Sequence, residues 1–264
     1  MAEKSTKKIG LGIITCNRLE FFKKCIQNLP FVDELVIVND GYPYPENVYP
    51  NNAKVIQHLN NKGIAKTKND ALRYLYEKNC EYMFLSEDDV IINGNNIFAK
   101  YIMASELSGI KHFNFGYVKE NLGRDGNFLI KKIIDYSGIR IAFFNNLSGT
   151  FSYFHREVIE SVGYMDENFK NALEHVDHTY QIIKSGFHPP LRWFADILDS
   201  NQFLIDQDEL SKNSLIQNIK GWKIRVYYNS FMFFLKNKYF PWNLPEVNEV
   251  TLNEYLKNAE PSSN

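Results

Sequence analysis

The chain has 264 residues, 44% of them hydrophobic and 23% charged, with 30 Lys and Arg set against 31 Asp and Glu. This composition allows one sizeable core or two small ones and excludes a disordered polyelectrolyte, and the net charge of -1 leaves no global electrostatic footprint for nucleic acid. Three cysteines (Cys16, Cys25 and Cys80) without a CxxC spacing argue against a disulfide framework or a zinc knuckle.

The polar, lysine-rich start (residues 1–8) has no long apolar run behind it and does not read as a signal peptide. Apolar runs approaching 18 residues occur nowhere, so no transmembrane helix is expected, and a cytoplasmic protein with reduced thiols is the expectation. Residues 9–14 (IGLGII) form a short apolar, β-branched run typical of a buried strand. After the polar turn Thr15-Cys16-Asn17-Arg18, the spacing of Leu19, Phe22, Ile26 and Leu29 predicts a helix, with Asn17 and Glu20 as a capping box and Pro30 helping to end it. Residues 35–38 (LVIV) predict a second buried strand that stops at Asn39-Asp40-Gly41, and Val55-Ile56 a weaker third. Ile64, Ala71, Leu72 and Leu75 mark one face of the next helix, and residues 82–85 (YMFL) a strand ending in Ser86-Glu87-Asp88-Asp89.

This βαβ series implies an α/β fold with a largely parallel sheet covered by helices on both faces, where ligands bind beyond the carboxyl ends of the strands. Polar residues stand at three such ends: residues 15–18, 39–41 and 87–89. Further on, residues 112–117 and 139–144 predict strands, residues 157–162 a short helix, and residues 174–184 a helix with Val176, Tyr180 and Ile183 on one face and Gly186 as its stop. Three parts are expected: a first half over 1–92, a second half over 93–200, and a C-terminal extension over 201–264.

Glu87-Asp88-Asp89 carries the chemistry. Read alone, an acidic trio is a solvated turn. At the end of a buried strand and beside two other polar ends, it is a candidate site for a divalent cation, and hard oxygen ligands suit Mn²⁺ or Mg²⁺. Such an ion neutralises charge growing on a leaving diphosphate. Asp40 before Gly41 is a common turn pattern, but its carboxylate could also hold a nucleobase or ribose.

The order of these motifs resembles that of inverting family 2 glycosyltransferases on the GT-A fold. Ile13-Ile14-Thr15-Cys16-Asn17-Arg18 resembles the family's first strand and nucleotide-contacting loop, and Val36-Ile37-Val38-Asn39-Asp40-Gly41 its VDDGS segment. Asn61-Lys62-Gly63 with Lys68-Asn69-Asp70-Ala71 is similar to N-x-G-x-x-x-A-R-N, and Glu87-Asp88-Asp89 stands where the metal-binding DxD lies. Gly149-Thr150-Phe151 begins a stretch like the family's acceptor-side segment. Val162-Gly163-Tyr164-Met165-Asp166-Glu167-Asn168-Phe169 is similar to V-G-G-F-D-E-x-F, the most specific local match. The segment from Glu174-His175-Val176-Asp177 to Lys184-Ser185-Gly186-Phe187 resembles E-D-x-D-L…K-A-G-Y.

The resemblance covers residues 9–199 and makes 1–92 the nucleotide-binding half and 93–200 the acceptor-side half. It implies a sugar-nucleotide donor (a UDP-sugar favoured, GDP and TDP not excluded), a glycan or lipid-linked glycan acceptor, and a role in surface polysaccharide or glycoconjugate synthesis. Donor contacts are expected from Thr15, Asn17, Arg18, Asp40, Asn61, Gly63, Lys68, Asn69, Glu87 and Asp88. Asp89 is expected as first metal ligand, with Asp88 beside it. The histidine that often completes the family's metal site is missing; Asp199 is the candidate substitute, the alternative being an ion held by Asp89, the diphosphate and water.

For the general base, His175 replaces the aspartate of the E-D pair, leaving Glu174, Asp177 and His175 as candidates in that order. A sugar-1-phosphate nucleotidyltransferase is disfavoured because residues 14–18 lack G-x-G-x-R, and a non-catalytic glycan- or nucleotide-binding domain is supported only by the altered E-D pair. The aromatic stretch over 221–244, interleaved with Lys and Arg, has helical spacing that predicts packing onto the core. A subunit contact or a seat on the inner face of a membrane are its other readings.

Overall fold

The structure, a computed structural model, describes residues 7–169, 172–207 and 222–259. The polar leader before Lys7, the stretch over 208–221 and the polar end after Ala259 lie outside the described residues. In chain order the elements are β1 (Lys8–Thr15), α1 (Leu19–Ile26), β2 (Glu34–Asn39), β3 (Ala53–Gln57), α2 (Ile64–Glu77), β4 (Cys80–Glu87), β5 (Val90–Ile92), α3 (Ile97–Ser108) and β6 (His112–Phe115). There follow β7 (Lys132–Tyr136), β8 (Ile139–Phe144), β9 (Ser148–His155), α4 (Arg156–Val162), α5 (Glu174–Lys184), β10 (Phe194–Ile197), β11 (Leu204–Asp206), α6 (Trp222–Asn237) and α7 (Glu249–Ala259).

The main sheet has six strands in the order β3-β2-β1-β4-β9-β6. Its first four are parallel, and β9 runs antiparallel to both β4 and β6. The apolar strands alternate between two cores, because successive side chains point to opposite faces. Leu35, Ile37, Tyr82 and Phe84 enter the core with α1 and α3, whereas Val36, Val38, Met83 and Leu85 enter the core with α2, α4 and Ile182 of α5. With both faces covered, the central strands read as unbroken apolar runs.

On β1 the α2 side is closed by glycine. A Cβ on Gly12 would lie 2.8 Å from the Ala71 Cβ and 2.9 Å from Leu85, so the missing side chain sets how closely α2 approaches the sheet. A second sheet, β10-β8-β7, is antiparallel. The pair β11–β5 carries the chain past residue 201 back beside the end of β4.

Several local expectations need correction. Asn17 does not cap α1: it adopts a positive φ of 55°, and its side chain accepts from the Tyr42 N–H at 2.8 Å, while Arg18 takes the N-cap position and its side chain makes no capping bond to the helix. α1 stops at Ile26, and β6 ends at Phe115. α3 and β9 go beyond the elements foreseen. α3 carries Ile102, Met103 and Leu107 besides its buried positions, so apolar residues occur on every side and the helical period is weak. β9 is half polar.

The packing expected of the C-terminal aromatic helix also fails for most of it. Only Phe233 is buried among its described aromatics, whereas Tyr227, Tyr228 and Phe231 are exposed. The inward positions are Asn229, Ser230, Phe233 and Asn237, which pack toward α5 through Phe169, Tyr180 and a set of polar contacts.

Candidate functional site

The strand order reverses at β1: the chain passes outward to β2 and β3, then crosses back to β4 on the other side. The crevice beyond the carboxyl ends of strands at such a switch point is the ligand site of open α/β sheets. The register sets Thr15 beside Asn39 and Ile14 beside Glu87, so the three polar strand ends emerge at one edge. They are tied together there. The Asp40 N–H donates to the Thr15 carbonyl at 2.9 Å, and the Thr15 hydroxyl donates to Asp88 Oδ2 at 2.7 Å. The Arg18 guanidinium lies 3.3 Å from Asp88 Oδ1 and 2.9 Å from Asp89 Oδ2. Asp40 and Asp89 therefore flank β1 on a common edge.

Asp88 and Asp89 are both buried. Burial pushes the Asp88 carboxyl up to about 7, and Arg18 and Thr15 offset only part of that cost. Asp89 is raised well above the usual range by burial and by the neighbouring carboxylates Glu87, Asp88 and Asp206. Asp206 was not singled out in the sequence. It ends β11, pairs across from Val90, and is followed by a Gln207 N–H that donates to the Asp89 carbonyl at 2.8 Å.

Asp88 and Asp89 thus meet at one guanidinium, Glu87 and Asp206 lie near enough to act on Asp89, and among the described residues the buried Asp89 Oδ1 has no hydrogen-bond partner. An excess of hard oxygen donors with an unpartnered buried oxygen fits a divalent cation that takes further oxygens from a ligand or water. Among the described residues no three His, Cys, Asp or Glu side chains close a ligand set by themselves. Asp199, the expected third ligand, is not brought to this group. It sits in a left-handed turn with φ 61°, half exposed, 3.8 Å from Arg140, and its N–H donates to the Tyr117 hydroxyl. Asp206, not Asp199, comes near Asp89, because strand pairing, which has no local signature, returns β11 to β5.

Asp40 is spent largely on its own chain. Oδ1 accepts from the Lys62 N–H at 2.7 Å and lies 2.6 Å from His58 Nδ1, while Oδ2 accepts from the Gly63 N–H at 2.9 Å. The Asn61 amide donates to the Asp40 carbonyl. These bonds pin the 61–63 loop and the amino end of α2, with Gly63 at φ 88°. Asn69 is similarly a clamp: its amide bonds the Met165 carbonyl and accepts from the Met165 N–H, so the Val162–Phe169 octet is held onto α2.

Lys68 links the acidic trio to the base segment. It is 1% exposed, lies 2.8 Å from Glu87 and 3.3 Å from Glu174, and donates to the Gly149 carbonyl at 3.0 Å. Burial alone would lower its pKa, but the Glu87 and Glu174 carboxylates outweigh that and hold it above the ordinary value. Glu174 is correspondingly depressed. Burial raises it, yet Lys68 and then His175 bring it to about 2. A carboxylate so stabilised is a weak proton acceptor.

His175 follows with Nδ1 3.2 Å from Glu174 Oε1, its side chain still partly open to solvent. Its ring lies against Gly149, where a Cβ would come within 2.8 Å of the imidazole. Asp177, one turn on, is directed elsewhere: Lys236 and Asn237 of α6 donate to it at 2.7 and 2.9 Å. Of the three base candidates, the structure joins Glu174 and His175 to Lys68 and assigns Asp177 to the α5–α6 contact.

No family profile matches the chain. It is 22% identical to an uncharacterised glycosyltransferase, R363, of Acanthamoeba polyphaga mimivirus, over 87% of this chain and 95% of that one. Among solved structures it is similar to the mannosyltransferase PcManGT of Pyrobaculum calidifontis, crystallised with GDP-Man and Mn²⁺, with a TM-score of 0.53 and 10% identity over 95% of this chain and 68% of that one. It is also similar to residues 1–349 of S. aureus TarS, with a TM-score of 0.48 and 18% identity over 66% of this chain, and it spans about half (54%) of that fragment. The likeness to PcManGT shows a shared fold, the mixed and largely parallel GT-A-type sheet expected from the motif order.

Proposed function

We propose that this chain is an inverting glycosyltransferase that moves a hexosyl or N-acetylhexosaminyl group from a nucleoside-diphosphate sugar, UDP-sugar first among them, to a glycan hydroxyl. The observation that carries this reading is Lys68, whose single ammonium touches both Glu87 of the acidic trio and Glu174 of the base segment. Donor-side carboxylates and a proton acceptor are thereby held within one side chain of each other, as transfer between two bound substrates requires. The mimivirus relative supports the transferase class, and the manganese in PcManGT supports a divalent ion.

The sheet edge at Thr15, Arg18 and Asp88 faces the nucleotide, and Asp40 shapes the loop beneath it. Asp89, with Asp88 beside it, would hold Mn²⁺ or Mg²⁺ together with oxygens from the diphosphate or water, and the ion would supply positive charge against the departing diphosphate. The acceptor oxygen attacks the anomeric carbon from the side of α5, the bond from that carbon to the diphosphate oxygen breaks, and the hydroxyl proton passes to His175. Glu174 acts as a positioning residue. Fixed by Lys68, it fixes the imidazole through Nδ1, leaving the other ring nitrogen to take the proton.

The test is nucleoside-diphosphate release from a panel of sugar nucleotides, measured with MnCl₂ and with EDTA. Asp89→Ala should fall to the EDTA background, and retained activity would remove that residue from the chemistry. His175→Gln should lower kcat by about 10²–10⁴-fold with little change in KM for the donor. An unchanged kcat would transfer the role to Glu174.

A further inference from the structure

The most unusual surface of the molecule is α6, which is amphipathic in the wrong sense for a helix on a soluble protein. Its inward positions, Asn229, Ser230, Phe233 and Asn237, are mostly polar and engaged: Asn229 donates to the Ala172 carbonyl and Asn237 to Asp177. Its outward positions are Ile224, Tyr227, Tyr228, Phe231 and Leu235, all exposed, Ile224 by 74% and Tyr227 by 70%. At 3.6 residues per turn these five fall within an arc of about 100° and run about 16 Å along the axis, opposite the inward set. Lys223 and Arg225, both exposed, lie on the two flanks of that arc.

A groove of about 490 Å³ lined by Lys223, Val226, Tyr227 and Trp242 continues the stripe toward the 241–243 turn. There Phe234, Phe240 and Trp242 stack in series, the last more than half exposed.

Charge identifies the occupant. Lys223, Arg225 and Lys238 are exposed along α6 and just past its end, and α6 and the turn to Leu244 carry no Asp or Glu, on a chain with 31 acidic residues elsewhere. An apolar, aromatic stripe with basic flanks on an otherwise acidic molecule suits an anionic lipid surface. The rings and aliphatic groups enter the interface, the bases meet headgroup phosphates, and the acidic remainder is turned away. A second copy would bring two such basic faces together, which is electrostatically unfavourable.

We infer that α6 and the 239–242 turn seat the protein on an anionic membrane surface, lying in the interface without crossing it; no described helix is long and apolar enough to span. α5, which bears Glu174 and His175, packs directly behind α6, so docking would hold that segment one helix layer from the lipid. Binding does not depend on the transferase reading.

The experiment is co-sedimentation of the full chain with vesicles of phosphatidylglycerol mixed with phosphatidylcholine, and with phosphatidylcholine alone, at low and high salt. Wild type should bind the anionic vesicles, and salt should weaken that binding. Lys223→Glu with Arg225→Glu should weaken it at least about 20-fold, since each basic residue near such a surface contributes roughly a five-fold factor. Tyr228→Ser, Phe231→Ser and Leu235→Ser together should weaken it at least about tenfold, with the unfolding midpoint unchanged because these side chains face outward. Met103→Ser with Leu107→Ser, exposed apolar positions on α3, should bind as wild type. Absence of binding, equal binding to both lipids, or unaltered binding by the α6 variants would overturn the inference. So would a wild-type dimer that the triple substitution dissociates without any vesicle binding.

Discussion

Replacing Lys68 by Met removes the one cation between Glu87 and Glu174 while keeping the aliphatic stem that fills the space. The cost can be reached by two routes. Glu174 falls from its ordinary 4.5 to about 2 in the folded chain, which by linkage corresponds to about 3 kcal/mol of stability. Independently, deleting one partner of a buried ion pair costs about 3–5 kcal/mol, because the remaining charge is left uncompensated. Lys68→Met should therefore lose about 3 kcal/mol at neutral pH in urea unfolding followed by tryptophan fluorescence.

The sign with pH follows from a depressed acid. The contribution is complete above 4.5 and is lost as pH falls toward 2, so the gap between variant and wild type should narrow through that window. Adding Glu174→Gln should recover a large part of the loss, since an amide needs no counter-charge. A loss below about 1 kcal/mol, or a double variant whose losses simply add, would refute the idea that Lys68 holds the site together electrostatically.

Two further outcomes follow from buried groups. His178 is lowered to about 4 by burial, and Asp196, bonded to Tyr101, Ser200 and two backbone N–H groups, is raised to about 6 by burial. A depressed histidine loses its contribution between 6.5 and 4, whereas a raised carboxyl gains as pH falls below 6. From pH 7 to 5, His178→Gln should thus improve by about 2 kcal/mol relative to wild type and Asp196→Asn worsen by about 1 kcal/mol, and parallel pH profiles would refute both shifts. Asp177→Asn should lower stability by about 1–3 kcal/mol through its bonds to Lys236 and Asn237 yet leave kcat for donor turnover intact in the folded protein. A hundredfold fall in kcat would instead make it the base.

Much of the architecture was legible because its signals are local. Unbroken apolar runs marked β1, β2 and β4, since strands covered on both faces need no polar alternation, and the end of α5 was marked by Gly186 at φ 77°. The acidic trio could be placed beyond a strand for the same reason. What stayed hidden was long-range. Asn17 reads as a cap because Asn-x-x-Glu is a capping pattern, but its side chain found the Tyr42 N–H across the strand edge. Asp199 stood at the right distance in sequence, yet Asp206 arrives beside Asp89 through the β11–β5 pairing. The helical spacing of the aromatic stretch over 221–244 predicted packing onto the core, whereas α6 turns Tyr227, Tyr228 and Phe231 outward while Asn229, Lys236 and Asn237 bond inward.

By itself the sequence determined the alternation of strands and helices, the polar clusters at three strand ends and the short list of residues able to act there, because each depends on chemistry within a few positions. Tertiary structure alone decided which carboxylates meet, that Lys68 pairs with Glu174 and holds it ionised beside His175, and that Asp177 bonds to α6. Those outcomes depend on distances between residues as many as 106 positions apart, and on how far burial shifts each charge, neither of which is encoded in any one segment.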